Sequence, residues 1–156
     1  MADIHLPQQE ADTLLQVEKV YEGDPNRDYP NPGEKLVLES VSVDGADRFH
    51  VDVFRGAICL TKATHNLRVR KAIPLLRLDL DGRPHRNPDG QDVGRTHLHV
   101  YREGYGDAWA YALPGPVPEP LPPFELTDYS DLGGALDYFL VYCRITSRPT
   151  LNRVLL

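Results

Sequence analysis

Half of the chain's six histidines, His85, His97 and His99, fall in one stretch from Pro84 to Ala110. The same stretch holds the single tryptophan, Trp109. An imidazole changes charge near neutral pH, so it can take or release a proton under cellular conditions. Cleavage of RNA through its own 2′-hydroxyl needs a base, an acid for the leaving oxygen, and a cation for the charge that builds on phosphorus. His85, His97 and His99 are candidates for the proton transfers, without any cofactor. Arg77, Arg86 and Asn87 are candidates for holding the substrate. Tyr101, Tyr105 and Trp109 offer rings on which unpaired bases could stack.

The same residues suit a second chemistry. His97-x-His99 followed by Glu103 puts three metal-ligating side chains on one face of a strand. This spacing resembles the first motif of the cupin barrels. No histidine follows His99, so the second cupin motif has no counterpart. A divalent transition metal held by His97, His99 and Glu103 therefore stands as the alternative to a cofactor-free site. A third reading needs no chemistry: the histidines form a hydrogen-bonded polar sheet face, and Asn87–Gly90 is only a tight turn.

Alternation along an extended strand places these groups. Between Thr96 and Glu103, Leu98 and Val100 face the core, while His97, His99, Tyr101 and Glu103 share the other side. If residues 76–81 pair with this strand, Arg77 or Asp79 lands beside the histidines. His85 then folds over them from the intervening loop. Asn87-Pro88-Asp89-Gly90 is a strong turn sequence within that loop.

The remaining chain supplies the framework. Pro7 to about Val20 reads as a helix, with Ala11, Leu14 and Leu15 on one face. Residues 22–34 collect glycine, proline and asparagine and read as loop. Strands are expected over 35–43, 48–54 and 57–62, forming a meander with a turn at Asp44-Gly45. Residues 65–81 read as one long bent strand or two short ones, with Pro74 demanding a bulge, an edge or a break. Further strands cover 96–102 and 109–113. Pro114–Pro123 contains six prolines and reads as a rigid surface spacer. A last helix is expected over Asp131–Ile145, capped by Ser130, with Leu132, Leu136, Phe139, Leu140 and Cys143 as its buried stripe. The tail 146–156 is expected to be flexible or to dock on the body. The fold class is α+β: one domain over 1–156, an antiparallel meander of five to seven strands, and the two terminal helices packed on one face. The histidines belong to the other face.

Composition narrows the function classes. The 156 residues are 41% hydrophobic and 26% charged, as in ordinary globular proteins, with a net charge of −6. That charge argues against a general nucleic-acid or membrane binder. It is uneven, however: residues 65–105 carry net +3 and the remainder net −9. A basic strip on an acidic body suits one local anionic ligand, or an acidic face that docks on a basic protein. Two distant cysteines without a Cys-x-x-Cys pair exclude a zinc ribbon and point to a reducing cytoplasm. Neither a signal pattern nor a membrane-length apolar run is present.

Arg77-x-Asp79, then Pro84-His85-Arg86-Asn87-Pro88-Asp89-Gly90, then His97-Leu98-His99 resembles the pattern of TumE-like toxins of bacterial toxin–antitoxin pairs. The resemblance covers residues 77–99. It implies growth inhibition through RNA cleavage and a cognate antitoxin, with His85, His97 and His99 functional and Arg77 on phosphate. The adjacent His-His pairs of such toxins are missing here. A second resemblance, over most of the chain, is to an uncharacterised family of short bacterial and mobile-element proteins. From it follows a rival expectation: a phage- or mobile-element-encoded interaction protein that blocks a host defence or nucleic-acid-processing complex, or binds a nucleotide, without catalysis.

Overall fold

In the computed structural model, residues 5–152 are described. In chain order the elements are α1 (Gln8–Gln16), β1 (Lys19–Glu22), β2 (Asn26–Asp28), β3 (Lys35–Ser42), β4 (Arg48–Arg55), β5 (Ala63–Val69), β6 (Ile73–Leu80), β7 (His85–Arg86) and β8 (Asp92–Val93). They continue with β9 (His97–Val100), β10 (Ala110–Ala112), α2 (Leu132–Tyr142), β11 (Ile145–Thr146) and β12 (Thr150–Asn152). The architecture is α+β, as the patterning requires. The main sheet has eight strands, in the order β10-β9-β6-β5-β4-β3-β1-β11, and exceeds the expected five to seven. Every pairing in it is antiparallel except β1 with β11.

Period-2 alternation buries one face of this sheet. Leu36, Leu38, Phe49, Val51, Val53, Leu67, Leu76, Leu78, Leu80 and Leu98 all lie in one core cluster. Leu14 and Leu15 of α1 and Leu136, Phe139 and Leu140 of α2 belong to the same cluster. Phe139 lies against His65 of β5, with ring centroids 5.8 Å apart.

Several boundaries differ from the sequence reading, each for a local reason. Helix α1 stops at Gln16, because Val17 is already extended (ψ 139°) and Lys19 begins a strand. Lys19 is fully buried. Its ammonium donates to the carbonyls of Val17 and Cys143, each at 2.9 Å, and lies 4.8 Å from the Phe49 ring centre. Burial lowers its pKa to about 8. Residues 57–62 form no strand; Ile58 is 97% exposed at a loop tip. The long stretch after them is two strands joined by a turn in which Arg70 and Lys71 both take positive φ. No glycine marks that turn, so the sequence hides it. Pro74 produces the expected bulge: Leu67 pairs with Leu76 and Arg68 with Pro74, leaving Leu75 as the extra residue.

The C-terminal third also departs from expectation. Trp109 precedes β10 rather than starting it. The proline-rich segment is no free spacer. Leu113, Leu121 and Phe124 are buried, and the Tyr142 hydroxyl donates to the Pro122 carbonyl at 2.7 Å. Helix α2 begins after Asp131 and ends at Tyr142, short of Ile145, which pairs with β1. Within the expected tail, β12 pairs in parallel with β2; residues 153–156 lie outside the described ones.

His65 contradicts the expectation that the histidines share the polar face. It is fully buried on the core side, and its Nε2 lies 3.2 Å from the Tyr29 hydroxyl. Burial depresses its pKa to about 3, below the roughly 6.5 expected when unfolded. The unfolded chain therefore takes up this proton first. Its contribution to stability is complete above about pH 6.5 and declines as pH falls toward 3, by up to about 1.4 kcal/mol per pH unit. Urea midpoints measured between pH 7 and 4.5 should fall more steeply for the native chain than for His65→Gln. Parallel curves would contradict this origin.

Candidate functional site

Strands β6 and β9 pair antiparallel with Arg77 opposite His99 and Asp79 opposite His97. Since Leu76, Leu78 and Leu98 face the core, these four polar side chains share the other face. Both histidines are 1% exposed there, covered by other polar groups rather than by the apolar core. Nδ1 of His97 lies 2.7 Å from the Gly94 carbonyl, and Nδ1 of His99 lies 2.8 Å from the Asp107 carbonyl. A carbonyl only accepts, so both Nδ1 atoms carry hydrogen. Asp79 Oδ2 is 3.2 Å from His97 Nε2 and 3.4 Å from His99 Nε2. Arg77 donates to Asp79 Oδ1 at 2.8 Å, to Asp107 Oδ2 at 3.2 Å and to His99 Nε2 at 2.9 Å. Burial alone would raise the Asp79 carboxyl. The surrounding imidazoles and guanidinium outweigh it and hold Asp79 far below the usual carboxylate range.

The loop over this face is a small hairpin of β7 and β8, pairing His85 with Val93 and Arg86 with Asp92. Gly90 takes φ 86° at its tip, as the turn sequence demands. The His85 ring lies 4.6 Å from His99 and 5.8 Å from His97, centroid to centroid, and its Nε2 donates to the Ala108 carbonyl at 2.7 Å. Asn87 fixes the hairpin through its side chain. Nδ2 donates to the Ala110 carbonyl and Oδ1 accepts from the Ala110 N–H, both at 2.9 Å. A groove of about 470 Å³ opens over the cluster, with Lys62, Thr64, Arg77, Arg83 and His85 in its walls.

The structure thus brings together His85, His97, His99 and Arg77, and it separates the other candidates. Tyr101 packs in the core, because it follows the strand end and bonds to the bulged Leu75. Its hydroxyl donates to the Leu6 carbonyl at 2.7 Å. Glu103 is remote from the imidazoles in role: its carboxylate accepts the Gln8 N–H at 2.8 Å and caps α1. Arg86 pairs with Asp92 along the exposed hairpin. Asn87 is a positioning group. Tyr105 and Trp109 are engaged with Arg102, whose guanidinium lies 5.6 and 4.7 Å from their ring centres. Asp79, placed beside the histidines by the register, is the carboxylate of the site. Its carboxylate oxygen and a ring nitrogen of each of His97 and His99 lie within 4.8 Å of one another, so Asp79 takes the place expected for Glu103. Asp107 and the Gly94 carbonyl had no sequence signal.

Comparison with known proteins gives a family and no activity. The family of unknown function DUF6978 matches residues 6–145, and the chain belongs to it. Membership of an uncharacterised family over most of the chain was the expectation. No curated protein and no solved structure matches.

Asp79 is acceptor for the whole cluster and Glu103 only for a helix end, so their losses should differ. Asp79→Asn should lower stability at pH 7 by about 1.5–3 kcal/mol, the worth of hydrogen bonds to a charged group. Glu103→Ala should lower it by about 0.5–1 kcal/mol, as for a lost helix cap. Urea unfolding of both variants checks the order; equal losses would deny Asp79 its central place.

Proposed function

We propose that this member of a family without an assigned function is a phosphodiester-cleaving enzyme acting on RNA, with His85 as the proton-transfer group at the groove. The observation that carries this reading is a cationic groove over an imidazole cluster, on a chain whose net charge is −6. Lys62, Arg77 and Arg83 give phosphate its counter-charge, and Arg77, partly exposed beside Asp79, is the residue suited to a phosphorane. With Nε2 of His85 donating to Ala108, its Nδ1 remains to accept a proton from a 2′-hydroxyl. His97 and His99 lie beneath it and hold Asp79, and through it Arg77, in place. The resemblance to TumE-like toxins adds growth inhibition and an antitoxin partner to this reading. Cys59 and Cys143 form no disulfide, which supports a cytoplasmic site of action. Among the described residues no helix is long and apolar enough to cross a membrane.

A second reading, an interaction protein that blocks a host complex without chemistry, is favoured by one observation. Ile58 and Leu60 stand 97% and 50% exposed on the loop that leads into Lys62 at the groove. Such apolar tips suit contact with another protein.

Incubation of purified protein with mixed cellular RNA separates the two. Under the enzymatic reading, RNA is cut, and His85→Ala and Arg77→Ala each lower the rate by at least tenfold while the variants stay folded. Intact RNA in the presence of folded native protein would remove that reading. Growth inhibition that survives His85→Ala and is lost in Ile58→Asp would then support the blocker.

A further inference from the structure

We infer that Asp79, His97 and His99 form a binding site for one divalent transition-metal ion of the zinc type. This goes beyond the RNA reading and does not rest on it. Each neutral imidazole carries one N–H, and in both rings it is taken by a backbone carbonyl, Gly94 for His97 and Asp107 for His99. Each Nε2 is then a lone pair, and both lone pairs approach the same carboxylate oxygen, Asp79 Oδ2. In that neutral form the three electron-rich atoms need a cation among them, either a proton on an imidazole Nε2 shared with Asp79 or a metal ion in its place. Arg77 partly answers this, since its guanidinium donates to His99 Nε2 and to Asp79. Among the described residues, Arg77 donates to Asp79, Asp107 and His99 and not to His97 Nε2.

Both separations from the carboxylate oxygen suit a metal. An ion with ligands at about 2.0–2.1 Å in tetrahedral arrangement holds them about 3.3 Å apart. The separations of Asp79 Oδ2 from the two Nε2 atoms are 3.2 and 3.4 Å, and all three ligand atoms fall within 4.8 Å. The outer contacts suit it too. Ligating imidazoles donate their other N–H to a carbonyl or carboxylate, which fixes the ring and the tautomer. Here both rings already do so. Two imidazoles and one carboxylate are a borderline-hard donor set that takes zinc or a neighbouring divalent first-row metal. On binding, Arg77 withdraws from His99 and keeps its contact with Asp107. The fourth ligand position would open toward the groove that His85 borders.

The test needs no RNA, so its failure is separate from failure of the RNA reading. Full-length protein is titrated with cobalt(II) alone, followed by visible absorption, and with zinc(II) alone, followed by nitrogen NMR of the imidazoles. One equivalent of cobalt should bind with the absorption of a four-coordinate nitrogen–oxygen site. Zinc should displace it and move the Nε2 resonances of His97 and His99, leaving those of His50 and His65 in place. Arg77→Gln, which removes the competing guanidinium, should bind at least as tightly as the native chain. His97→Gln should weaken binding at least a hundredfold. Because the native chain itself gives the absorption and the resonance shifts, a variant that fails to fold does not blunt the test. No binding by the folded native chain, or binding that moves His50 or His65 and leaves His97 and His99 in place, overturns the proposal.

Discussion

One carboxylate, that of Asp79, sets the constraint around which the polar half of this protein is arranged. It lies on β6 opposite His97 on β9, two residues from Arg77 and beside His99. A charge withdrawn from water must find partners within a few ångströms or lose its charge. Around Asp79 the partners come from two strands whose register is set on the opposite face by Leu76, Leu78 and Leu98. A slip of one residue would carry the leucines into the polar cluster and the imidazoles into the core. The apolar packing therefore determines which atoms meet at Asp79.

The interior poses the same problem a second time, at the far end of the sheet, with the sign reversed. Lys19 is a buried cation whose ammonium reaches carbonyls at the ends of both helices, Val17 after α1 and Cys143 after α2. Those carbonyls have no partner within their helices and carry the negative end of the dipole. A single lysine thus serves two helix ends that are far apart in the chain. Nearby, Cys143 is itself pushed up to about 12 by burial, so it stays a neutral thiol beside that cation. The buried charge of Lys19 is answered by backbone and the partly buried charge of Asp79 by side chains.

Period-2 patterning made the central strands, the pairing of 76–81 with 96–100 and the shared face of His97 and His99 legible. Asn87-Pro88-Asp89-Gly90 announced its turn. What escaped the sequence had no local signature. Residues 57–62 look like a strand because Ile58, Cys59 and Leu60 are apolar, yet nothing covers Ile58. The turn at Arg70 and Lys71 adopts positive φ without glycine. His65 alternates like a core residue, but its polarity suggested the other face. Tyr101 changed sides because Leu75, an extra residue created across the sheet, became its partner. Glu103 had the spacing of a ligand and serves a helix terminus 95 residues away in sequence. Such roles belong to tertiary contacts and cannot be counted along a strand.

The attachment of the β7–β8 hairpin gives the buried histidines a particular kind of accessibility. His97 and His99 are closed off by a flap whose side-chain ties to the body include the Asn87 amide on Ala110 and the His85 ring on Ala108. Releasing a few hydrogen bonds asks for far less free energy than unfolding eight paired strands. If the hairpin lifts on its own, entry to the imidazoles would have an opening rate separate from melting of the sheet. The frequency and duration of that lifting would then sieve what reaches the floor of the groove.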